Sequence, residues 1–255
     1  MLWGRLSTFV GNNASHSGGA MFIGSDSTVS WSMEMSFFDN IAGESGVASY
    51  VKDSSNASRG AKTLFFNNTA DDSGGAVYVE DASSVYWSGP TSFSNNTALY
   101  GGAVFAKDNS NVLWEAETSF SANAGNKSGG AMYIQDSSSV SWDEKTSFTG
   151  NTADHGAAVH VKDFSGLPWD AETSFIGNTA SELGGAVYDN EQSSVSWDGG
   201  ENASFIGNYA NFGGDALYVI AGSNAYWGAN ALFTDNHAND GGAVYISGDS
   251  RVSWN

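Results

Sequence analysis

Short segments in which apolar and polar residues alternate recur along the whole chain. In one unit they occupy residues 131–134, 139–142 and 146–148, and in the second of these Val140 and Trp142 share one face while serines occupy the other. Alternation with period two predicts strands that bury one face. Gly, Ser, Asn and Asp separate the segments, and no stretch shows the 3.6-residue periodicity of a helix. The pattern therefore predicts an all-β protein.

The segments belong to a unit that repeats nine times. Each unit contains a Phe-x-x-Asn motif, and successive motifs are 27 to 30 residues apart. The motifs begin at Phe9, Phe37, Phe65, Phe93, Phe120, Phe148, Phe175, Phe205 and Phe233. Tryptophan recurs with the same spacing from Trp3 to Trp254, except that Arg59 occupies one Trp slot. This period predicts a single right-handed parallel β-helix over residues 1–255, with about nine coils of 27–30 residues and three short strands per coil.

Parallel stacking places equivalent residues of successive coils above one another, about 4.8 Å apart. The predicted interior therefore contains columns of identical residues. They comprise Phe93, Phe120, Phe148 and Phe175, then Trp87, Trp114, Trp142 and Trp169, and then Asn96, Asn123, Asn151 and Asn178. The asparagine amides can link successive coils by hydrogen bonds, and an amide array that binds sugars is the alternative interpretation. Arg59 either stacks between Trp31 and Trp87 by cation–π attraction or turns outward in a looser coil.

A further column of rings alternates with the buried Val and Ile positions, and we expect it to face solvent. This column, called the aromatic strip below, consists of Phe22, Tyr50, Tyr78, Phe105, Tyr133, His160, Tyr188, Tyr218 and Tyr245. Stacking of these rings between coils would stabilise the sheet. Exposed aromatic strips also mark contact surfaces, so the second interpretation is a platform for sugars or for a protein partner.

Carboxylates form two more columns. The first follows the first strand of each coil and comprises Asp53, Asp81, Asp108, Asp136 and Asp163. The second follows the Trp position and comprises Glu115, Asp143, Asp170 and Asp198. Because stacked like charges repel, we expect Asx-turn hydrogen bonds to backbone N–H groups to offset them. Ca²⁺ bridging the carboxylates is the alternative, since hard cations take several oxygen ligands. The sequence predicts no other cofactor.

The chain is strongly acidic, with 9 basic and 28 acidic residues and a formal net charge of −19. This charge argues against nucleic-acid binding and against contact with anionic membranes. There are no cysteines, so disulfides and thiolate chemistry are excluded. The 9 Trp, 15 Phe and 10 Tyr residues argue against disorder. No apolar run is long enough for a spanning helix, so we expect no membrane insertion by this segment.

The sequence shows no catalytic constellation. The four histidines, His16, His155, His160 and His237, share no motif, and a Gly-x-Ser-x-Gly elbow does not occur. Pairs of carboxylates suited to glycoside cleavage arise by repetition alone and therefore carry no signal. We predict a non-enzymatic protein, and a polysaccharide lyase or hydrolase is the least favoured interpretation.

The segments GGAVYV, GGAMYI and SFTGNTA resemble the repeats of the polymorphic outer membrane proteins of chlamydiae, and similar repeats occur in other bacterial and algal surface proteins. The resemblance covers all nine units. It implies a right-handed β-helix passenger that is exported to the cell surface and used in adhesion. Members of that family usually contain cysteines, which this chain lacks.

These features predict an extracellular or cell-surface location, with the targeting signal outside this segment, because residues 1–5 lack the apolar stretch of a secretory signal. Six glycosylation sequons permit a secreted eukaryotic origin; they begin at Asn13, Asn56, Asn67, Asn95, Asn126 and Asn202. Both ends lack a cap, which predicts a segment of a longer array.

The predicted function is that of a structural spacer or an adhesin. Alternatives are a filament that self-assembles head to tail and a module that binds carbohydrate or ice. The expected partners are other copies or neighbouring repeats through the coil ends, surface glycans, or a host or matrix protein.

Overall fold

The computed structural model describes residues 6–197, 202–228 and 230–254, and all regular structure in these ranges is β-strand. No helix among these residues could cross a bilayer. The strands form four parallel sheets, and each of the first eight coils contributes one strand to each sheet in a fixed order, while the ninth contributes a described strand to three of them. The sheets are named below after the Phe, Ala, Tyr and Trp residues that recur in them.

The Phe sheet has nine strands, and each pairs with the equivalent strands of the preceding and following coils. Its strands are Ser7–Val10, Met35–Phe38, Thr63–Phe66, Thr91–Ser94, Thr118–Ser121, Thr146–Thr149, Thr173–Ile176, Ala203–Ile206 and Ala231–Thr234. The register pairs Phe93 with Phe120 and Phe120 with Phe148. Each phenylalanine therefore lies above its counterpart in the next coil.

The Ala sheet follows and has eight strands. Its strands are Asn13–Ala14, Ile41–Ala42, Thr69–Ala70, Thr97–Tyr100, Ala124–Ser128, Thr152–His155, Thr179–Leu183 and Tyr209–Ala210. The prediction of three strands per coil is therefore corrected to four. Several Ala-sheet strands contain only two residues, which is too short to show an alternating pattern.

The Tyr and Trp sheets complete each coil, with nine strands each. The Tyr sheet contains Phe22–Ile23, Ser49–Val51, Val77–Val79, Val104–Ala106, Met132–Ile134, Val159–Val161, Val187–Asp189, Leu217–Val219 and Val244–Ile246. The Trp sheet contains Thr28–Trp31, Asn56–Arg59, Ser84–Trp87, Asn111–Trp114, Ser139–Trp142, Gly166–Trp169, Ser194–Trp197, Asn224–Trp227 and Arg251–Trp254. The predicted fold class, a parallel β-solenoid of about nine turns, is confirmed.

Stacked rings fill the interior of the solenoid. Phe93 and Phe120 stack with ring centroids 4.8 Å apart and planes 2° from parallel, and Trp114 stacks on Trp142 at 5.0 Å. The two columns meet edge to face, with Trp142 at 83° to Phe148. All these rings are fully buried. Stacked and edge-to-face aromatic pairs each add about 0.5–1.5 kcal/mol beyond the burial of apolar area.

The Asn of each Phe-x-x-Asn motif from Asn40 to Asn208 is buried and bonds to both neighbouring coils, whereas Asn12 and Asn236 at the two ends are half-buried. Asn123 Nδ2 donates to the carbonyl oxygen of Phe93 at 3.1 Å and to Asn151 Oδ1 at 3.0 Å. Its Oδ1 accepts from both the backbone N–H and Nδ2 of Asn96, each at 3.0 Å. The amide therefore satisfies turn backbone that no sheet reaches. Since these amides are buried and fully bonded, they offer no surface array for sugars.

A second side-chain ladder, which the sequence reasoning missed, precedes the Trp sheet. The backbone N–H of Ser110 donates to Ser138 Oγ at 3.0 Å, and the N–H of Ser138 donates to Ser165 Oγ at 3.2 Å. These serines are buried. The signal was the serine that precedes each Ser-Val-Ser-Trp segment, which resembled ordinary loop composition.

Arg59 lies inside the Trp column, so the outward orientation that the sequence left open is wrong. The side chain is 1% exposed, and its guanidinium carbon lies 5.2–5.5 Å from the ring centroids of Trp31, Phe37, Phe65 and Trp87. Within the described ranges, none of its three side-chain nitrogens has a hydrogen-bond partner. Burial lowers the pKa of Arg59 to about 9. Four rings thus hold a cation that no carboxylate balances.

We expect Arg59→Trp to raise the free energy of unfolding by about 1–3 kcal/mol, because an indole in this slot would stack as in other coils and remove an unpaired buried cation. Urea denaturation followed by Trp fluorescence measures the change. Arg59→Lys is the control and should lower stability, since its compact ammonium covers less of each ring. An unchanged or lower stability of Arg59→Trp would show that the cation–π contacts outweigh the desolvation of the guanidinium.

Candidate functional site

The aromatic strip lies on the outer face of the Tyr sheet, and most of its rings stack face to face. Tyr50 stacks on Tyr78 with centroids 4.9 Å apart and planes 2° from parallel. Tyr78 stacks on Phe105 at 5.0 Å and Phe105 on Tyr133 at 5.1 Å. Each face in this run is covered by the next ring. Only the ring edges therefore point away from the sheet.

The expected solvent exposure of the strip is wrong for its middle part. Tyr50, Tyr78, Phe105, Tyr133 and Tyr188 are only 5–8% exposed, whereas Phe22 is 54% exposed. Tyr218 and Tyr245 are half-buried. A sugar that stacks on an aromatic platform needs an open ring face, so most of the strip cannot act as one. Its geometry is that of cross-coil stacking.

A glycine with positive φ before each Tyr-sheet strand explains this burial. Gly129 has φ +63°, and a β-carbon there would lie 2.2 Å from the carbonyl oxygen of Met132 and 2.9 Å from Tyr133 Cβ. The bare backbone of this corner therefore packs directly against the strip. A residue with a side chain would push the corner away from the rings.

Glu80 links two rings of the strip to a lysine. Tyr78 Oη donates to Glu80 Oε2 at 3.1 Å, Tyr50 Oη donates to Glu80 Oε1, and Lys107 Nζ lies 3.1 Å from Glu80 Oε2. Burial, with a smaller contribution from Glu80, raises the pKa of both tyrosines. Burial alone would raise the pKa of Glu80, but hydrogen bonds from Tyr50 and Lys107 lower it. The hydroxyls therefore stay protonated while the carboxylate stays charged.

The proposed Ca²⁺ column lies at a turn with left-handed backbone. Asp53, Asp81, Asp108, Asp136 and Asp163 have φ between 53° and 55°. Asp tolerates this conformation better than most residues, which accounts for its recurrence there. No hydrogen bond joins any of the five carboxylates to a backbone N–H within the described ranges, so the expected Asx-turn bonds are not what offsets their charge.

Lysines offset part of this charge instead. Lys107 Nζ is 3.2 Å from Asp108, and Lys162 Nζ is 3.0 Å from Asp163. Carboxylate oxygens of Glu80, Asp81 and Asp108 lie within 4.8 Å of one another. The Lys107 ammonium already contacts Glu80 and Asp108, so it occupies the position that a shared cation would take.

The carboxylates of the second column make fewer polar contacts than those of the first. Tyr86 Oη donates to Glu115 Oε2 on the outer face of the Trp sheet. Burial, followed by repulsion from Asp170 and Glu115, raises the pKa of Asp143. Asp198 lies outside the described residues. No ion pair in the described ranges involves Glu115, Asp143 or Asp170.

The histidines form no catalytic group in the described structure. His160 occupies a slot in the strip but turns edge-on, at 74° to Tyr133 and 75° to Tyr188. Its Nε2 lies 3.0 Å from Asn190 Oδ1, and burial lowers its pKa to about 3. His155 Nε2 lies 3.4 Å from Glu182 Oε2. His160 is therefore a neutral buried side chain.

Two acids that the sequence reasoning missed are buried in the seventh and eighth turns. Asp189 is fully buried between Val161 and Val219, and neither carboxyl oxygen has a hydrogen-bond partner in the part of the chain that the structure describes. Burial raises its pKa well above the ordinary value. Asp215 Oδ1 accepts from the Ala210 N–H at 2.6 Å, and burial raises its pKa to about 6. Alignment of the repeats already shows Asp189 in an apolar slot, which is the signal for this site.

A cavity of about 310 Å³ opens beside the middle of the strip. It is lined by Asp72, Ser73, Tyr78, Tyr100, Phe105, Lys107, Tyr133 and Gln135. Tyr100 packs against the strip at an angle, its ring at 61° to Tyr133 with centroids 5.5 Å apart. Lys127 Nζ lies 5.6 Å from the Tyr100 centroid. We call this space the Tyr100 cavity.

A second cavity, of about 260 Å³, lies on the outer face of the Phe sheet. Leu64 and Pro90 form its apolar side, and Ser92, Ser119 and Ser147 line its floor. Ser119 Oγ donates to Ser92 Oγ at 3.1 Å, so two of these hydroxyls already satisfy each other. No aromatic ring is among the residues that line this second cavity.

Comparison with known families identifies the repeat. Residues 62–80, 90–107, 172–190 and 230–247 match the sequence model of the Chlamydia polymorphic membrane protein repeat. Each matched segment runs from the start of a Phe-sheet strand to the end of a Tyr-sheet strand or just beyond it. Comparisons with curated proteins and with solved structures found no match. The resemblance inferred from the GGAVYV-type segments is confirmed, since these four segments are similar to the Chlamydia polymorphic membrane protein repeat.

Proposed function

We propose that this chain is a non-enzymatic module of a cell surface that acts as a rigid spacer and holds an adhesive region away from the cell. The repeat type and the solenoid fold both fit a surface repeat module. The observation that carries the spacer role is the continuity of the ladders. Parallel pairing joins every coil to the next in at least three of the four sheets, from Ser7 to Trp254.

Continuous ladders make the rod stiff. Bending a solenoid between two coils opens backbone bonds in the sheets on one side and separates the stacked rings there. The buried amide ladder adds bonds at a corner that the sheets do not reach. With a rise of about 4.8 Å per coil, nine coils extend over about 43 Å.

Three titratable side chains with shifted pKa values, His160, Asp189 and Glu80, have positions that support a structural role. His160 and Asp189 are buried, and the Asp189 carboxyl has no hydrogen-bond partner among the described residues. Glu80 is bonded to two tyrosines and to Lys107. A general acid or base must reach the substrate, and none of these groups is free to do so.

Distance measurements between two spin labels test the rigid rod. The chain has no cysteine, so Asp39→Cys with Asp235→Cys gives two unique sites on exposed turns at equivalent positions. These positions are seven coils apart, and we expect one narrow distance distribution centred near 34 Å plus the reach of the labels. Pulsed electron spin resonance measures it.

Asp39→Cys with Asn95→Cys, two coils apart, serves as the control pair and should give a correspondingly shorter distance. A broad distribution for the long pair beside a narrow one for the short pair would contradict a rigid rod. Release of reducing ends from polyuronates or other polysaccharides by the purified protein would separately contradict the non-enzymatic assignment.

A further inference from the structure

In the coil that forms the Tyr100 cavity, two slots of the repeat differ from the residues of both neighbouring coils. Among the described strip positions the ring is usually a tyrosine, but here Phe105 lacks the hydroxyl. At the end of the Ala-sheet strand, Tyr100 stands where its paired neighbours are Ser73 and Ser128. The missing hydroxyl leaves space, and the added ring closes one side of it.

The groups around this space are suited to a ligand rich in hydroxyl groups. Tyr133 contributes a hydroxyl that burial keeps protonated by raising its pKa to about 12. Ser73, Gln135 and Asp72 supply a further hydroxyl, an amide and a carboxylate. Ser73 Oγ donates to Asp72 Oδ2 at 3.2 Å, and Gln135 Nε2 donates to Asp136 Oδ2 at 2.7 Å. The serine oxygen can still accept, and the Gln135 amide keeps its oxygen and its second N–H, so the cavity offers both donors and acceptors to the hydroxyls of a sugar.

The apolar part of the cavity comes from Tyr100 and Phe105. Tyr100 is half-buried and lies across the stacked run, so it forms a wall rather than another layer of the strip. Phe105 also lines the cavity. Sugars combine apolar C–H surfaces with hydroxyls, and this pairing of a ring wall with polar groups matches both.

Charge favours a neutral ligand. Lys107 is the cation that lines the cavity, and it is already paired with Glu80 and Asp108. Asp72, which also lines the cavity, is an exposed carboxylate. In a chain of net charge −19, an anionic ligand would meet unfavourable potential. A neutral sugar neither disturbs the Lys107 pairs nor meets repulsion.

We propose that the Tyr100 cavity binds one neutral sugar residue, such as the end of a surface glycan. Its volume of about 310 Å³ is near the lower limit for ligand sites, which suits a single ring rather than a longer oligosaccharide. This inference goes beyond the spacer function and does not rest on it. The rod can be rigid whether or not a sugar is bound, and the cavity can bind a sugar whether or not the rod acts as a spacer.

Saturation-transfer NMR on the full chain tests the site, with millimolar methyl glycosides of glucose, galactose, mannose and N-acetylglucosamine as probes. We expect at least one probe to receive saturation from the protein. Phe105→Tyr and Tyr100→Ser each restore the residue found in neighbouring coils, so both variants should fold. Each should weaken binding by about tenfold or more, the first by filling the cavity and the second by removing its wall.

Tyr209→Ser is the matched control, because Tyr209 is an exposed ring on the Ala sheet outside the cavity, and it should leave binding unchanged. Failure of all four glycosides to receive saturation overturns the proposal. Binding that persists unchanged in both Phe105→Tyr and Tyr100→Ser overturns it as well, since the sugar would then bind elsewhere. Circular dichroism of each variant confirms that the solenoid is intact.

Discussion

Asn123→Ala is expected to lower the free energy of unfolding by about 4 kcal/mol. The substitution removes four buried hydrogen bonds, two to Asn96 and one each to Phe93 and Asn151. A buried hydrogen bond contributes about 1 kcal/mol net, and a partner left unsatisfied costs about 1–3 kcal/mol more. The backbone N–H of Asn96 and the carbonyl of Phe93 would lose these bonds inside the corner. Urea denaturation of the purified protein measures the change.

Asn111→Ala provides the control for this experiment. Asn111 begins a Trp-sheet strand with its side chain exposed, so its removal should change stability by no more than about 0.5 kcal/mol. The Asn123→Ala effect should also appear as faster amide exchange of Asn96. Equal, small effects of the two substitutions would show that water or a backbone shift replaces the amide ladder.

Asp189→Val is expected to stabilise the protein, and the gain should grow as pH rises. In the folded chain Asp189 lies between two valines with no partner, and burial raises its pKa well above the ordinary value. In the unfolded chain the carboxyl ionises near pH 4. Below that pH both states hold the proton, so this group gives no pH dependence.

At higher pH the sign of the effect follows from proton linkage. The unfolded state loses the Asp189 proton while the folded state keeps it, so the free energy of unfolding of the natural chain falls by up to about 1.4 kcal/mol per pH unit. This fall continues until the pH passes the folded-state pKa. Asp189→Val removes this pH-dependent loss of stability. The difference in the free energy of unfolding between the variant and the natural chain should therefore be smallest at about pH 4 and larger at about pH 7. Urea denaturation at several pH values measures the difference.

Asp189→Asn separates the charge from the buried polar group. The amide removes the ionisation but leaves unsatisfied donors and acceptors, so its stability should lack this pH dependence without reaching that of Asp189→Val. A constant difference between the natural chain and Asp189→Val across the pH range would contradict the account. It would mean that Asp189 ionises with an ordinary pKa and that the seventh turn opens to water.

The fold could be predicted because the same residue types recur at equivalent positions of the repeats, so the prediction does not depend on any single residue. A Phe, an Asn and a Trp recurring every 27 to 30 residues impose both the register and the inward face. The Ala sheet was not predicted, because a two-residue strand such as Thr69–Ala70 shows no alternating pattern of its own. It forms only because coil stacking places it beside the equivalent strands of the neighbouring coils. Parallel pairing across coils is a long-range effect that a short window of sequence cannot show.

The candidate site was predicted less well, for a related reason. Alternation correctly placed Tyr78 and Tyr133 on the outer side of their sheet, but it does not reveal what packs over that side. The covering group is glycine backbone, as at Gly129, which has no side chain to mark its contact. The Tyr100 cavity depends on two changes five residues apart, Tyr100 and Phe105, that become neighbours only when the corner folds.

The amide ladder also gives the solenoid a direction. Each Asn in it presents its Nδ2–H to the next coil and its Oδ1 to the previous one, as Asn96, Asn123 and Asn151 do in turn. The serine ladder runs the same way, since the Ser110 N–H donates forward to Ser138. A cut between any two coils would therefore expose amide donors on one surface and acceptors on the other. A further repeat of this type can therefore join either end of the rod only in the same orientation, so that amide donors of one coil meet amide acceptors of the next.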